Sequence, residues 1–177
     1  MNDKSDFNPQ SFAVIGAGPV GCIVAAFLAK GGYEVTLCDV VPDLLKPALD
    51  PGIIIEGAEN LTQTVSHTCT NIDALPDYQP DVIVVTAKAN ALPLIASAIE
   101  GFHQQGLYVV SWQNGIDTEL EIAKSLGRAA VMRAVAQVSG PKILRIGVVQ
   151  GGKVIDERGA ALHGATVTIN GTPVTGA

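Results

Sequence analysis

At 177 residues, with 47% hydrophobic and only 16% charged side chains, the chain holds enough apolar material for one domain, with at most a small appendage. Its net charge is −6 with no basic cluster, which argues against a nucleic acid or an anionic membrane as partner. No stretch reaches the roughly 18 consecutive apolar residues of a membrane span. The polar start Met1–Asp6 is unlike a signal peptide. Cys22, Cys38 and Cys69 lack metal-type spacing, so a cytoplasmic protein with buried thiols is expected.

Residues 1–10 read as a disordered leader. Phe12–Ile15 then forms an apolar strand that runs into Gly16-Ala17-Gly18-Pro19-Val20-Gly21, and a helix over Pro19–Lys30 follows, stopped by Gly31-Gly32. Tyr33–Asp39 reads as a second, mostly buried strand. The proline-bearing Val41–Pro51 reads as a loop with at most one helical turn. Gly52–Gly57 looks like one strand of a surface hairpin, and Thr64–Thr70 like another strand.

Asp81–Thr86 is a continuous apolar run of the kind found in central parallel strands. A helix is expected over Asn90–Ile99, with Pro93 in its first turn. Leu107–Ser111, Thr118–Leu126 and Ala129–Val138 then read as strand, helix and strand. After Gly140 the pattern changes: Val148–Ile155 signals a hairpin around Gly151-Gly152, and Ala165–Gly171 a last strand. Strand alternating with helix predicts an α/β, Rossmann-like fold over 11–177. It has a largely parallel sheet, helices on both faces and a C-terminal β extension.

The strand–turn–helix context gives the glycine motif a chemical meaning. Gly16 permits the turn, Gly18 lets backbone approach a pyrophosphate, and Gly21 lets the helix pack on the strand. The helix N-terminus presents free N–H groups and a positive dipole end to the anion. Asp39 lies 23 positions past Gly16, at the end of the second strand. A carboxylate there accepts ribose hydroxyls and repels a 2′-phosphate, which selects NAD over NADP; the plain alternative is a solvated strand-end acid.

Lys88 follows the buried strand in Thr86-Ala87-Lys88-Ala89, where ligands collect beyond the carboxyl ends of parallel strands. The alternative is a solvated lysine at a helix start, although a cation there opposes the helix dipole. Gln113-Asn114-Gly115 occupies the matching place after the next strand, either as a simple Asn-Gly turn or with the Asn114 amide turned to the same crevice. Trp112 either lines that crevice or packs in the core. His67, His103 and His163 share no ligand spacing, so no metal site is expected.

Three segments together resemble the N-terminal domain of the ketopantoate reductase (2-dehydropantoate 2-reductase, ApbA/PanE) family: Gly16–Gly21, Asp81–Ala89 and Gln113–Asp117. The resemblance covers most of residues 11–140. It implies nicotinamide-dependent reduction of a 2-keto acid, ketopantoate to pantoate, in coenzyme A biosynthesis. Lys88 and Asn114 take the family's cofactor- and substrate-positioning roles. Gly16, Ala17, Gly18, Pro19, Val20, Gly21, Asp39, Thr86 and Ala87 join them around the cofactor.

The family's usual cofactor is NADPH, held by a basic residue after the second strand. Asp39 at that place favours NADH. The family's C-terminal helical domain, which supplies a general-acid lysine, has no counterpart in these 177 residues. The chain alone is therefore expected to be a poor catalyst that pairs with itself as a homodimer or with a separate helical domain. Two other readings stand beside this one: a non-catalytic nucleotide-binding or redox-sensing module, and an FAD-binding fragment of a hydroxylase.

Overall fold

Six parallel strands form the central sheet of the computed structural model, which describes residues 7–56, 60–113, 115, 117–134, 168, 169, 172 and 173. In chain order the elements are β1 (Ser11–Ile15), α1 (Pro19–Lys30), β2 (Glu34–Cys38), α2 (Pro42–Leu49), β3 (Ile53–Ile55), β4 (Leu61–Gln63) and β5 (His67–Cys69). They continue with β6 (Val82–Val85), α3 (Leu92–Glu100), β7 (Tyr108–Ser111), α4 (Thr118–Leu126), β8 (Val131–Arg133), β9 (Thr168–Ile169) and β10 (Thr172–Pro173). The sheet order is β5-β2-β1-β6-β7-β8, with every neighbour parallel. Counting only the six strands, this is the 3-2-1-4-5-6 order of doubly wound dinucleotide-binding sheets.

Strand alternation divides the core into two layers. Val14, Val35, Leu37, Val82 and Val84 face α1 and α2 on one side of the sheet. Ala13, Ile15, Cys38, Ile83, Val85 and Val109 face α3 and α4 on the other. Because successive side chains of a strand point to opposite faces, an apolar run without alternation, such as Val82–Val85, is what a strand covered on both faces requires. The chain changes direction of travel across the sheet between β1 and β6, and ligand crevices open at that point, beyond the carboxyl ends of the strands.

The helix over Pro19–Lys30 and that over Thr118–Leu126 occupy the expected spans, and the strands agree within a residue or two. Two readings need correction. Val41–Pro51 is not a loop: Pro42–Leu49 is a two-turn helix. Its prolines mislead because Pro42 sits at the helix start, where no N–H is needed, while Leu45 and Ala48 bury one face. The strand expected at Thr64–Thr70 is shorter, His67–Cys69. Leu61–Gln63 pairs antiparallel with Ile53–Ile55 in a separate hairpin, and only His67–Cys69 joins the main sheet.

Part of the expected leader is held in place. Phe7 packs edge-on against Tyr108, with ring centroids 4.7 Å apart, and the Asp81 carboxylate accepts the Gln10 and Ser11 N–H groups at 2.8 and 3.0 Å. Residues 7–10 therefore do not belong to a disordered leader. The last strand appears as Thr168–Ile169, paired antiparallel with Thr172–Pro173. The expected hairpin at Val148–Ile155 and the strand beyond residue 134 lie outside the described residues.

Candidate nucleotide site

The glycine turn is built by contacts that differ at each glycine. Gly16 has φ +108°, and a Cβ there would lie 2.8 Å from the Ala87 nitrogen. Gly21 is buried in the first turn of α1, where a Cβ would come within 1.8 Å of the Gly16 carbonyl oxygen and 2.6 Å of Thr86 Oγ1. Gly18 is the opposite case: it is exposed, and a Cβ there would meet nothing within 4 Å. Packing thus explains Gly16 and Gly21 but not Gly18. A glycine with empty space in front of it is what close approach by a ligand asks for.

The N-terminus of α1 is left open. Gly18 is its extended cap residue, no side chain caps it, Pro19 brings no N–H, and the first turn holds no acid. Helix dipole and unpaired N–H groups therefore face outward, available to an anion.

Thr86 joins the two halves of the crevice. Its N–H donates to the Ile15 carbonyl at 2.8 Å, and its hydroxyl reaches the Ile15 and Gly16 carbonyls at 3.0 and 2.9 Å. On the β2 side, Asp39 Oδ2 accepts the Ala17 N–H at 2.7 Å and Oδ1 accepts the Val41 N–H at 2.9 Å. An ionised carboxylate offers about four lone-pair positions, so two remain for ribose hydroxyls.

On the β6–β7 side lies a cleft of about 270 Å³, lined by Val20, Thr86, Ala87, Lys88, Ala89, Trp112 and Gln113. It brings Lys88 to the same crevice as the glycine turn. Lys88 is exposed and opens a short 3-10 turn, Ala89–Ala91, in extended backbone. Asn114 lies outside the described residues; its neighbour Gln113 is on the cleft wall.

Gln113 is a structural anchor that the motif alone did not reveal. Only 5% exposed, it donates from Nε2 to the Val85 carbonyl at 2.8 Å and accepts the Ser111 hydroxyl at 2.6 Å. Ser111 also lies 3.2 Å from Thr118 Oγ1. The local sequence carries no signal for this, because the acceptor lies 28 residues away. Arg133 clamps the far side of the turn, reaching Glu119 at 3.1 Å and the Gly115 carbonyl at 2.5 Å.

Trp112 packs partly on the core and partly on the cleft, and its indole N–H is buried without an acceptor among the described residues. A donor lacking a protein acceptor at a cleft wall fits a site completed by a ligand oxygen. The histidines stand apart from this region in their contacts: His67 pairs with Glu34 at 3.1 Å, His103 bonds the Leu107 carbonyl at 3.2 Å, and His163 lies outside the described residues. No group of three metal-ligating side chains occurs among the described residues, and none of their helices is long and apolar enough to cross a membrane.

The family model for "Ketopantoate reductase PanE/ApbA" matches residues 12–151. The chain belongs to this family. A 2-dehydropantoate 2-reductase of Pyrococcus horikoshii is 30% identical over 115 residues, 65% of this chain and 36% of that protein. A glycerol-3-phosphate dehydrogenase [NAD(P)+] of Geobacter sp. is 29% identical over 150 residues, 77% of this chain and 42% of that protein. Among solved structures, a PanE/ApbA family ketopantoate reductase from Ralstonia eutropha has a TM-score of 0.59 at 24% identity, over 73% of this chain and 41% of that one. The chain thus spans about two fifths of the curated relatives it matches.

What the ketopantoate reductase family model covers is the sheet and crevice described above, a ketopantoate reductase-like NAD(P)-binding domain of Rossmann type. This favours the nicotinamide reading over the flavin hydroxylase one.

Proposed function

We propose that this chain is the nucleotide-binding part of a 2-keto acid reductase, which uses NADH to reduce ketopantoate or a close analogue in a cytoplasmic pantothenate pathway. The observation that carries the proposal is the contrast within the glycine motif. Two glycines are demanded by packing, while Gly18 faces open space beside an uncapped helix N-terminus. The residues fit a dinucleotide: Gly16–Gly21 and α1 hold the pyrophosphate, Asp39 the adenosine ribose, and Thr86, Ala87 and Lys88 the cleft side. Bound there, a nicotinamide supplies the hydride that reduces the ketone.

The chain's own residues position the reactants. Lys88 places positive charge at the cleft, where it binds and orients the carboxylate of a keto acid and steadies negative charge on the ketone oxygen. Asn114, next to Gln113 in the sequence, orients a carbonyl by its amide. Asp39 excludes the 2′-phosphate of NADPH by like charge. Titration of the chain with NADH and with NADPH, followed by calorimetry, tests the binding half. An NADH-oxidation assay with 2-dehydropantoate tests the chemical half. Tighter binding of NADH, with slow turnover by the chain alone, is the expected pair of results.

A further inference from the structure

We propose that Cys38 and Cys69 form a reversible intramolecular disulfide on exposure to hydroperoxide, which makes the β2–β5 strand pair an oxidant-responsive site. The two cysteines are register partners on adjacent parallel strands. Both side chains belong to the core layer under α3 and α4, so they share one face of the sheet. Neighbouring strands lie about 4.7–4.9 Å apart, within the roughly 4.4–6.8 Å range of Cα separations that a disulfide spans. Both thiols are free, and they interact directly with one another.

The surroundings divide the labour between them. The neighbouring Cys38 thiol and the Asn71 N–H lower the pKa of Cys69 against the opposing effect of burial. Cys38 is raised, first by its bond to Cys69, then by burial and by the negative charges of Cys69 and Asp39. Cys69 is also the more accessible, 8% exposed against 2%. Cys69 is thus the better placed of the two to attack an oxidant.

The chemistry balances with peroxide as the oxidant. The Cys69 thiolate attacks one peroxide oxygen, the O–O bond breaks, and hydroxide leaves; Cys69 becomes a sulfenic acid. Cys38 sulfur then attacks Cys69 sulfur, an S–S bond forms, and the sulfenic oxygen departs as water with the Cys38 proton. Two thiols are oxidised, one peroxide is reduced, and two waters result. Cys22 is the internal comparison: burial, and then Asp39, raise its pKa, and its thiol donates to the Ala17 carbonyl at 3.3 Å.

The test is thiol mapping of the intact chain after hydrogen peroxide, with alkylation under denaturing conditions. Of the 3 cysteines, only Cys22 should then take the alkyl group, and digestion should yield a peptide joining Cys38 to Cys69. Dithiothreitol should restore full labelling. With Cys38→Ser, dimedone should trap a sulfenic acid at Cys69, while Cys69→Ser should leave Cys38 unlabelled. Three alkylatable thiols after oxidation, a crosslink to Cys22 or to a second chain, or over-oxidised Cys69 without a crosslink would each overturn the proposal. The wild-type map needs no variant and no nucleotide, so its outcome is independent of the proposed reductase role.

Discussion

Asp39 and Ala17 are joined before any ligand arrives: the Asp39 carboxylate accepts the Ala17 N–H at 2.7 Å. The acid at the end of β2 therefore shapes the glycine turn as well as facing the proposed ribose position. Hydrogen bonds to a charged group contribute about 1.5–3 kcal/mol each, so this contact links cofactor choice to local stability.

Replacing that acid separates the two roles. Asp39→Asn keeps an acceptor oxygen for Ala17 but loses the charge and the acceptor for Val41, so stability should fall less than with alanine while discrimination against NADPH narrows. Asp39→Ala should do both, losing stability by about 1.5–3 kcal/mol and narrowing the NADH preference. Urea unfolding and paired calorimetric titrations read the two effects. Equal or tighter binding of NADPH by the unaltered chain removes Asp39 as the selector.

Gly18 and Gly21 should respond to the same substitution in opposite ways. Gly18→Ala adds a methyl group to open space, so the melting temperature should stay put while NADH affinity falls at least about tenfold, or about 1.4 kcal/mol. Gly21→Ala drives a methyl group into the Gly16 carbonyl, and should destabilise by about 1–3 kcal/mol or more. Undiminished NADH binding by Gly18→Ala would show that the turn is structural only.

The contrast between these glycines also shows what was legible in the sequence. The motif, its strand and its helix were readable because Phe12–Ile15 and Cys22–Ala29 leave no breaker on either side. The strand-end positions of Asp39 and Lys88 were legible because both follow apolar strands, whose carboxyl ends define the crevice. The helix at Pro42–Leu49 was not legible, since burial of Leu45 and Ala48 depends on strands contributed by later residues. Nor was the Gln113 anchor, whose acceptor is a carbonyl 28 residues away.

Lys88→Ala should leave stability within about 0.5 kcal/mol, as expected of an exposed side chain without buried partners. Keto acid binding to the NADH-loaded chain should weaken markedly, as read by calorimetry. Unchanged keto acid binding would return Lys88 to the solvated surface.

Gln113→Leu keeps approximate volume and removes both buried hydrogen bonds, leaving the Val85 carbonyl and Ser111 hydroxyl to find other partners. A loss of about 1–3 kcal/mol is expected in urea unfolding. Nicotinamide-side binding should fall as well, because the following turn loses its anchor. A neutral effect on both would deny the anchor.

Association is expected from the exposed apolar side chains Val40, Leu44 and Ile54 around α2 and β3. Light scattering should report a dimer, and NADH oxidation with 2-dehydropantoate should stay below about 1 per second. A strict monomer defeats the first expectation, and faster turnover the second.

The bond between Thr86 and Ile15 spans 71 positions of the chain. It closes the seam where β1, from the first half of the sheet, meets β6, from the second. Contacts so distant along the chain are costly in entropy and form late in folding. The nucleotide cradle therefore requires both halves of the sheet to be docked. A dinucleotide bound across that seam, as proposed, would hold the halves together, so its binding energy would add to the stability of the whole domain. Protection from proteases by NADH should accordingly extend to cleavage sites across both halves rather than gather around the glycine turn.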